Sequence, residues 1–423
     1  MSEDPRLYLE QRAQLGVKLG LEAIRALLGA LGDPHSARPA VLVAGTNGKG
    51  SVAAYLAAAL GAAGLSVGLY TSPHLRRVNE RVAVDGSPIR DADLDDAIGA
   101  VARAARSLVV RGSLGDHPTY FEVLTAAALV HFERRGVDVA VLEVGLGGRL
   151  DATNAVEPAA SAIVSVARDH EAMLGRELAT IAREKAGVLR PGRTTVLGPL
   201  PEPARRAVAE RAGAVGARIV DAARGVDVEQ TGGGYRVSTP LATYEGIRPL
   251  PGSHQLDNAI VALRLLEAAA QQTGLAIDLA RAGPGLSVAR WPGRIQRVAG
   301  TPGLILDGAH NPHAARALAR HLARHAPDHV LLFGAMADKD VEGMARELFP
   351  GAREVVLCGI ENPRAAPPEQ LARRTGRERP RLAMCAAEGL AQAKDLAGPA
   401  GLVVVAGSLY LVGEVMGLIG AEP

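Results

Sequence analysis

The segment from Val41 to Ser51, with the helix that follows it, constrains the fold of this chain most strongly. An apolar run leads into Gly-Thr-Asn-Gly-Lys-Gly-Ser, and an alanine-rich stretch up to Ala63 then has the composition of a helix. A strand that ends in a glycine-rich turn at a helix amino terminus presents backbone N–H groups to phosphate oxygens. Lys49 would contact the terminal phosphates, and Ser51 would contact them or their Mg²⁺. Because Gly50 departs from the usual GxxxxGK[ST] string, the alternative is an ordinary glycine-rich turn.

Apolar runs alternate with helical stretches along the chain, which is typical of a mostly parallel sheet with crossover helices. The first set of predicted strands is 39–44, 66–70, 137–142, 160–166 and 194–197, with helices at 51–63, 121–134 and 257–273. The alternation restarts with strands at 303–306, 329–333, 354–358 and 401–406. We therefore predict an α/β fold, in which a P-loop ATPase domain with a parallel sheet precedes a smaller, Rossmann-like α/β domain.

The domain boundary is predicted from a change of texture near residue 290. Residues 283–293 are rich in glycine and proline, which is typical of a linker. We assign residues 1–290 to the first domain, 291–298 to the linker and 299–423 to the second domain. Within the first domain, residues 226–250 alternate apolar and polar around Gly232, Gly233 and Gly234, which predicts a short antiparallel hairpin.

Composition excludes several classes of function. The net charge is only +2, so no overall basic field indicates binding to nucleic acid or to an anionic membrane. The two cysteines form neither a disulfide framework nor a metal knuckle, which favours a reducing compartment. No apolar run is long enough to span a membrane, and residues 1–16 carry charges where a signal peptide would be apolar. We expect a cytoplasmic protein.

Polar side chains follow three of the predicted strands, at the end of each strand. They are Ser72, Glu143, and the pair Asp169 and His170. Because open parallel sheets bind ligands at the carboxyl ends of their strands, these groups are expected to face the phosphates together. A hydroxyl, a carboxylate and an imidazole would form a divalent-cation site that water and nucleotide oxygens complete. Taken singly, Glu143 would be a solvated strand end, His170 a structural hydrogen bonder and Ser72 a turn cap.

Six short motifs occur in a fixed order along the chain. They are GTNGKGS at 45–51, TSPHL at 71–75, EVGLGGRLDATN at 143–154, EKAG at 184–187, PGR at 292–294 and DGAHNP at 307–312. Together they resemble the folylpolyglutamate synthase and dihydrofolate synthase branch of the Mur ligase family. The resemblance runs from about residue 15 to about residue 415 and implies a Mur-ligase-like fold.

The resemblance implies an ATP-dependent amide ligase. Members of this family convert a folate or pteroate carboxylate into an acyl phosphate, and the amine of L-glutamate then displaces phosphate. Phosphoryl transfer to a carboxylate brings anions together, so cations are needed at the transferring oxygens. Lys49, Mg²⁺ and an arginine from the second domain would supply them.

The resemblance also implies which residues bind the metal and ATP. It places Mg²⁺ on Ser72, Glu143 and His170; Glu171, the next residue, stands where many relatives carry threonine and would alter only the surroundings of the metal. The residues it assigns to ATP are Thr46, Asn47, Gly48, Lys49, Gly50, Ser51, Asn258, Arg294 and Asp307. The alternatives are a helix-start cap for Asn258 and a surface position for Arg294.

Four residues are expected to be catalytic on the same resemblance, namely Lys49, His170, Lys185 and Arg294. The lysine of the Glu-Lys-Ala-Gly motif is often carbamylated in this family, which turns a cation into a carboxylate that supports the metal site. The alternative for Lys185 is an unmodified amine paired with a neighbouring acid.

Substrate contacts follow from the resemblance as well. The residues expected near the pterin are Thr119, Tyr120, Phe121, Glu122, Leu150, Asp151 and Ala152. A ring would stack on the pterin and Asp151 would accept its N–H groups, whereas the alternative for Phe121 is a place in the core. His310 is expected on the glutamate side. Asp338, Lys339 and Asp340 are interpreted as a solvated surface turn without a role.

We therefore predict a monomeric ligase that uses ATP to add L-glutamate to dihydropteroate, to folates and their polyglutamates, or to both, and the resemblance favours a bifunctional enzyme. One alternative is a Mur ligase that acts on a nucleotide-linked muropeptide. That enzyme would need an additional amino-terminal domain, and only about 38 residues precede the phosphate loop. The other alternative is a nucleotide-binding regulator without ligase activity.

Overall fold

The computed structural model describes residues 4–13, 15–16, 18–376 and 380–421. Within these ranges the chain forms an eight-stranded sheet in an N-terminal domain and a six-stranded sheet in a C-terminal domain, with a small three-stranded sheet between them in sequence. Helices cover both large sheets, so the predicted α/β fold class is confirmed. In the described part of the chain, none of the helices combines the length and apolar composition needed to cross a bilayer.

The first sheet has a core of parallel strands with an antiparallel edge. Its strands are β1 Ala40–Ala44, β2 Val67–Tyr70, β3 Val82–Val84, β4 Ser87–Pro88, β5 Val139–Glu143, β6 Pro158–Ile163, β7 Thr194–Leu197 and β8 Arg218–Asp221. Their order is β4-β3-β2-β5-β1-β6-β7-β8, and only β3 and β4 run antiparallel to their neighbours. The carboxyl ends of β2, β5, β1 and β6 therefore lie side by side, and the loops that follow them share one edge.

Helices pack on both faces of this sheet, because the parallel strands are buried on both sides. The helices of the N-terminal domain are α1 Pro5–Ala13, α2 Glu22–Ala30, α3 Lys49–Ala62, α4 Asp91–Val110, α5 Tyr120–Arg135, α6 Glu171–Leu174, α7 Leu178–Lys185, α8 Glu202–Val215, α9 His254–Gln272 and α10 Leu279–Ser287. Alternate residues of β1 enter different cores. Leu42 packs with α2, α4 and α5, whereas Val41 and Val43 pack with α3 and α9.

The C-terminal domain repeats the same architecture on a smaller scale. Its strands are β12 Gln296–Val298, β13 Gly303–Leu306, β14 Val330–Phe333, β15 Glu354–Cys358, β16 Arg381–Ala383 and β17 Leu402–Ala406, in the order β12-β13-β17-β14-β15-β16. Its helices are α11 Pro312–His325, α12 Val341–Leu348, α13 Pro368–Thr375, α14 Ala386–Ala397 and α15 Leu409–Leu418. Only β12 is antiparallel to its neighbour. Residues 296–298, which form β12, were predicted to belong to the linker.

The predicted hairpin at 226–250 is part of a three-stranded antiparallel sheet. Its strands are β9 Asp227–Thr231, β10 Gly234–Ser238 and β11 Thr243–Ile247. Tyr244 and Thr239 donate hydrogen bonds to the carboxylate of Glu267 on α9, which also pairs with Arg264 at 2.5 Å. Because Tyr244 and Glu267 are buried, their hydrogen bond helps to attach the small sheet to the N-terminal domain.

The interpretation of residues 283–293 as a linker is wrong for the first half of that segment. Residues up to Ser287 belong to α10, which packs against α3. A Cβ atom at Gly285 would lie 2.2 Å from the Cβ of Ala62, so the glycine permits a close helix contact. The predicted helix at 257–273 likewise begins three residues earlier, at His254.

Candidate functional site

The predicted phosphate loop, residues 45–51, lies between β1 and the first turn of α3, at the carboxyl edge of the first sheet. α3 begins at Lys49, and Gly48 before it has a φ of 82°, which glycine adopts readily. The loop is held by the segment after β6: Thr46 N donates to Ser165 O at 2.9 Å, and Thr46 Oγ1 accepts from Ala167 N at 3.0 Å. Asn47 N donates to Ser165 Oγ at 2.9 Å. Ser165, which sequence reasoning did not select, fixes the shape of the loop.

Two of the loop glycines are required by close neighbours. A Cβ atom at Gly48 would lie 2.6 Å from Oδ1 of Asn258, and one at Gly50 would lie 2.5 Å from the ring of Trp291. The departure from the usual motif at Gly50 therefore has a steric reason, because the chain's single tryptophan packs on that position. Rarity was the only signal in the sequence that singled out Trp291.

Asn258 lies beside the loop and is not a helix cap. Because α9 begins at His254, Asn258 is inside the helix, and the capping alternative is wrong. Its Nδ2 donates to Gln255 Oε1 at 3.1 Å, and Gln255 Nε2 donates to Ser51 Oγ at 3.3 Å. The first turns of α9 thus contact the phosphate loop directly.

Two lysines donate to backbone carbonyls of the same loop. Lys49 Nζ donates to Thr46 O at 3.2 Å, and Lys185 Nζ donates to Gly45 O at 2.8 Å. Lys185 is only 3% exposed, and burial, with a contribution from the charge of Lys49, lowers its pKa to about 7. The partner of Lys185 is a carbonyl and not the neighbouring acid of the unmodified alternative.

The three predicted metal ligands lie at the same edge of the sheet. Ser72 N donates to Glu143 Oε2 at 3.0 Å, which holds the carboxylate beside the serine. Glu143 is 5% exposed and burial raises its pKa, yet no cation in the described ranges lies within ion-pair distance of it. The His170 side chain is 40% exposed, and its residue has a left-handed φ of 51°. A buried carboxylate without a cation beside Ser72, with the His170 imidazole in the same cavity, fits a divalent metal.

The metal site would not be an all-protein cage. Among the described residues, no three His, Cys, Asp or Glu side chains are grouped so as to hold an ion. Any metal there would take two such side chains, the Ser72 hydroxyl, and oxygens from nucleotide or water. Glu171, the residue after His170, begins α6, and its carboxylate forms an ion pair with Arg176 at 3.3 Å.

Arg294, in the predicted linker, and Asp307, directly after β13, line the same cavity as the phosphate loop. Asp307 accepts from Ile295 N and Ala309 N, each at 2.8 Å, and so ties the segment after Arg294 to the end of β13. Ile295 has a φ of 47°, a costly value for a β-branched residue, which Asp307 helps to maintain. Arg294 Nη1 donates to Gly293 O at 2.9 Å, and Arg294 faces the cavity rather than the outer surface.

Asp169 joins the two domains next to His170. Its carboxylate pairs with Lys339 at 2.5 Å, accepts from Asn311 Nδ2 at 3.1 Å, and lies 3.6 Å from His310 Nε2. Asn311 also exchanges hydrogen bonds with Asn47 at 2.9 and 3.2 Å. The interpretation of Lys339 as solvated is wrong: it is only 8% exposed, because an aspartate from the other domain balances its charge.

The residues expected near the pterin divide into cavity lining and local scaffold. Phe121, Leu150 and Ala152 line the cavity, whereas Tyr120 does not. Thr119 and Glu122 also line it, but they form the capping box of α5: Glu122 Oε2 accepts from Thr119 N and Oγ1, each at 2.7 Å. Both oxygens of Asp151 accept from nearby loop groups, including Leu146 N at 2.8 Å. The carboxylates of Glu122 and Asp151 therefore accept local hydrogen bonds that stabilise the loops lining the cavity.

The loop that follows Ser72 lies against α15 of the C-terminal domain. A Cβ atom at Gly413 would lie 2.0 Å from Leu75 O, so the loop backbone contacts the helix directly. Glu80 accepts from the N–H groups of Leu75, Arg76 and Arg77 at 2.6 to 2.9 Å, which keeps this loop compact. The position of the Ser72 loop therefore depends on both domains.

One cavity of about 750 Å³ joins these groups. Every residue that the sequence analysis assigned to the site lines it, apart from Tyr120. Residues that sequence reasoning missed also line it; they include Lys18, Leu19, Arg81, Ser165, Lys339, Arg364 and Ser408. Lys339, Arg364 and Ser408 reach the site through the packing of the two domains, whereas the other four belong to the N-terminal domain.

Comparisons with known proteins agree with this geometry. A family described as "Mur ligase, glutamate ligase domain" matches residues 293–409. The dihydrofolate synthase/folylpolyglutamate synthase of Escherichia coli is 36% identical over 425 residues, which cover 98% of this chain and 94% of that protein. The chain belongs to the folylpolyglutamate synthase/dihydrofolate synthase family. The resemblance read from the six motifs is confirmed.

Solved members of the folylpolyglutamate synthase/dihydrofolate synthase family share the fold over the whole chain. Escherichia coli FolC in complex with DHPP and ADP has a TM-score of 0.88 at 33% identity, covering 99% of this chain and 98% of that one. A bifunctional enzyme with Mn, AMPPNP and L-glutamate bound has a TM-score of 0.87 at 35% identity, with the same coverage.

Some relatives are longer than this chain. The probable bifunctional folylpolyglutamate synthase/dihydropteroate synthase of Haloferax volcanii is 42% identical over 420 residues, which cover 96% of this chain. The chain spans about half, 49%, of the length of that relative. The match covers about half of that larger protein. The function of its other half is a property of that relative alone.

Proposed function

We propose that this chain is an ATP-dependent ligase that joins L-glutamate to a pteroate-type carboxylate through an acyl phosphate. One observation carries the proposal: a single cavity joins the phosphate loop, the buried carboxylate Glu143, Lys185, and Arg294 from the segment that links the two domains. A nucleotide-binding protein without ligase activity would need the phosphate loop alone. The acceptors we propose are dihydropteroate and reduced folates with glutamate tails.

The proposed reaction has two steps. An acceptor carboxylate oxygen attacks the terminal phosphorus of ATP, and the bond from that phosphorus to ADP breaks. The glutamate amine then attacks the acyl carbon, the acyl–phosphate bond breaks, and the amine loses a proton as the amide forms. In the first step Lys49 and Arg294 would bind the phosphate oxygens from opposite sides, because each anion that approaches needs a cation beside it.

The residues present fit Mg²⁺ at Ser72, Glu143 and His170. When bound there, the ion would neutralise charge on the phosphate oxygens of ATP. The contribution of the chain is to hold the Glu143 carboxylate beside Ser72 through the 3.0 Å hydrogen bond. A related solved enzyme contains Mn with AMPPNP, which supports this part of the proposal.

Lys185 is proposed to be carbamylated. Burial lowers its pKa to about 7, so a large share of the amine is neutral near neutral pH and able to add CO₂. The carbamate would replace a buried cation by an anion next to Lys49, which removes the repulsion between two lysines at one loop.

The division of labour between domains is also part of the proposal, with residues 1–290 as the ATP and folate domain, 291–298 as the linker and 299–423 as the glutamate-side domain. The contacts of Asp169 with Lys339, Asn311 and His310 support it, because they close the C-terminal domain over the phosphate loop. Closure would exclude water from the hydrolysable acyl phosphate. A cytoplasmic, monomeric enzyme is the accompanying expectation.

The decisive experiment is ADP release with purified protein, ATP, Mg²⁺ and L-glutamate. Dihydropteroate and tetrahydrofolate would be supplied separately, with no acceptor and with a nucleotide-linked muropeptide as controls. We expect ADP release that requires both an acceptor and glutamate, with a product heavier by one glutamyl residue in mass spectrometry. Turnover with both acceptors would indicate a bifunctional enzyme. Acceptor-independent ADP release, or turnover with the muropeptide alone, would contradict the proposal.

A further inference from the structure

Arg81 is a buried arginine that lines the cavity, and the reaction steps described above do not use it. It is 8% exposed and lines the same cavity as Glu143 and the phosphate loop. No carboxylate in the described part of the chain lies within ion-pair distance of its guanidinium. A buried charge without a counter-charge is costly, so this position indicates a missing anion.

The surroundings of Arg81 fix its side chain but leave its terminal nitrogens available. Its Nε donates to Nδ1 of His74 at 2.9 Å, and its guanidinium carbon lies 5.3 Å from the ring centre of Tyr120. Arginine only donates hydrogen bonds, so Nδ1 of His74 must be the acceptor in this pair. Within the described residues, the two Nη groups make no hydrogen bond with the protein. The two Nη groups are also not fully buried, and the cavity that Arg81 lines is the space open to them.

Arg81 interacts both with Glu143 and with the residue that precedes Phe121. Arg81 follows the loop that begins at Ser72, and its charge acts on the carboxylate of Glu143. On the other side, the Tyr120 ring under the guanidinium is next to Phe121, which lines the part of the cavity expected to hold the pterin. An acceptor with its pterin near Phe121 and its acid near the phosphate loop would bring its carboxylate end past Arg81.

We propose that Arg81 binds a carboxylate of the pteroyl acceptor through its two Nη groups. The inference rests on the proposed function and adds to it the group that holds the acid end of the substrate. Guanidinium and carboxylate form a paired, two-point hydrogen bond, which both orients the carboxylate and supplies the absent counter-charge. A neutral side chain at this position could not make that contact.

A purely structural arginine is the competing explanation. The cation–π contact with Tyr120 and the bond to His74 would then be its whole purpose, and its loss would destabilise the loop. That loss would affect all three substrates together, because the loop also carries Ser72. Selective loss of acceptor binding is therefore the property that separates the two explanations.

The test compares Arg81→Gln and Arg81→Lys with the matched control Arg77→Gln. Arg77 lies on the same loop but is exposed and pairs with Asp91 at 2.7 Å, outside the cavity. Steady-state kinetics would give separate KM values for acceptor, ATP and glutamate, and thermal unfolding would confirm folding. For Arg81→Gln we expect the acceptor KM to rise by about tenfold to a hundredfold, with the KM values for ATP and glutamate within about twofold. Arg81→Lys should lie between, and Arg77→Gln should match the unaltered enzyme.

A chemical comparison makes the test independent of turnover. The unaltered protein should bind an acceptor at least about tenfold more tightly than the same acceptor with its acid converted to a carboxamide. In Arg81→Gln this preference should disappear. If Arg81→Gln keeps the preference, or binds every substrate equally poorly, the inference is wrong.

The two acceptors distinguish which carboxylate is bound. Dihydropteroate has one carboxylate, whereas tetrahydrofolate has a second one that does not react. Equal loss with both acceptors assigns Arg81 to the reacting carboxylate, and loss with tetrahydrofolate alone assigns it to the second carboxylate. Failure of the proposed function would be recognised differently, since the unaltered protein would then ligate neither acceptor.

Discussion

Two lysines contact the phosphate loop from different environments, and this difference decides what each can do. Lys49 is partly exposed to the cavity and donates to Thr46 O, so its charge is available to phosphate. Lys185 is buried behind the loop and donates to Gly45 O, where burial lowers its pKa to about 7. The same residue type is therefore suited to binding an anion at one position and to chemical modification at the other.

Replacement of Lys49 should abolish the proposed ligase activity while the protein remains folded. Lys49→Ala removes a cation at the transferring phosphate, and we expect turnover to fall at least about a hundredfold. ADP release would measure turnover, and the fluorescence of Trp291, the single tryptophan beside Gly50, would report nucleotide binding. Lys394→Ala, in α14 and outside the cavity, is the control and should retain full activity. Near-normal turnover of Lys49→Ala would argue strongly against the assignment.

Carbamylation of Lys185 should increase with pH. Burial lowers the pKa of the amine to about 7, so the amine is protonated below that value and neutral above it, and only the neutral form adds CO₂. With ¹³C-bicarbonate, we expect a carbamate signal in NMR that is weak at about pH 6 and strong at about pH 8. Lys185→Ala supplies the control spectrum. A signal that is absent from the unaltered protein at both pH values would refute the modification.

Individual site residues were predictable where a motif or a strand end marks them. Lys49 begins the helix after β1 and Glu143 is the last residue of β5, and the sheet order brings both to one edge. Lys339 and Asn311 were not given roles, because their partner Asp169 is more than a hundred residues away in sequence. Tyr120 was expected in the cavity, but its ring lies under Arg81 instead.

At the scale of elements, apolar runs identified the buried central strands, whereas five short strands at or near the sheet edges were not predicted, namely β3, β4, β8, β12 and β16. Glycine-rich segments were interpreted less well. β1 and β14 were found because their residues are buried on both faces and so form continuous apolar runs. The glycines and proline of 283–287 indicated a linker, whereas they belong to α10 and allow it to approach α3. A glycine can mark a flexible segment or a tight contact, and local sequence does not distinguish the two.

Gly285 should be less tolerant of substitution than another helical glycine. In Gly285→Ala the new Cβ would lie 2.2 Å from the Cβ of Ala62, so α10 must move away from α3. We expect the free energy of unfolding to fall by about 1–3 kcal/mol, as for overpacked cores. Gly213→Ala in α8 is the control: it meets open space and should raise stability by up to about 1 kcal/mol through helix propensity. Urea unfolding of both variants measures the difference, and equal stabilities would contradict the packing argument.

At the scale of the whole molecule, Asp169 connects the phosphate-loop side of one domain to Lys339 and Asn311 of the other. The buried pair is neutral as a unit, but removal of either partner leaves a charge without compensation. This link could not be predicted from sequence, because it depends on how the two domains pack. It makes the closed arrangement sensitive to single residues.

Lys339→Ala should impair turnover more than nucleotide binding. Without the lysine, closure of the C-terminal domain over the loop would bury the Asp169 carboxylate without its counter-charge, which costs free energy. We expect kcat to fall at least about tenfold and the glutamate KM to rise, while the ATP affinity read from Trp291 fluorescence stays within about twofold. Lys394→Ala again serves as the unaffected control. An equal loss of ATP affinity and kcat would show that the pair supports the nucleotide site itself.

The contact of Leu75 with Gly413 has a practical consequence for inhibition. A small molecule wedged between this loop and α15 would displace the segment that bears Ser72 without entering the phosphate loop. Leu75 and Gly413 do not line the cavity that holds the phosphate loop. We therefore expect inhibition by a compound at this contact to be non-competitive with ATP, which steady-state kinetics at varied ATP would measure.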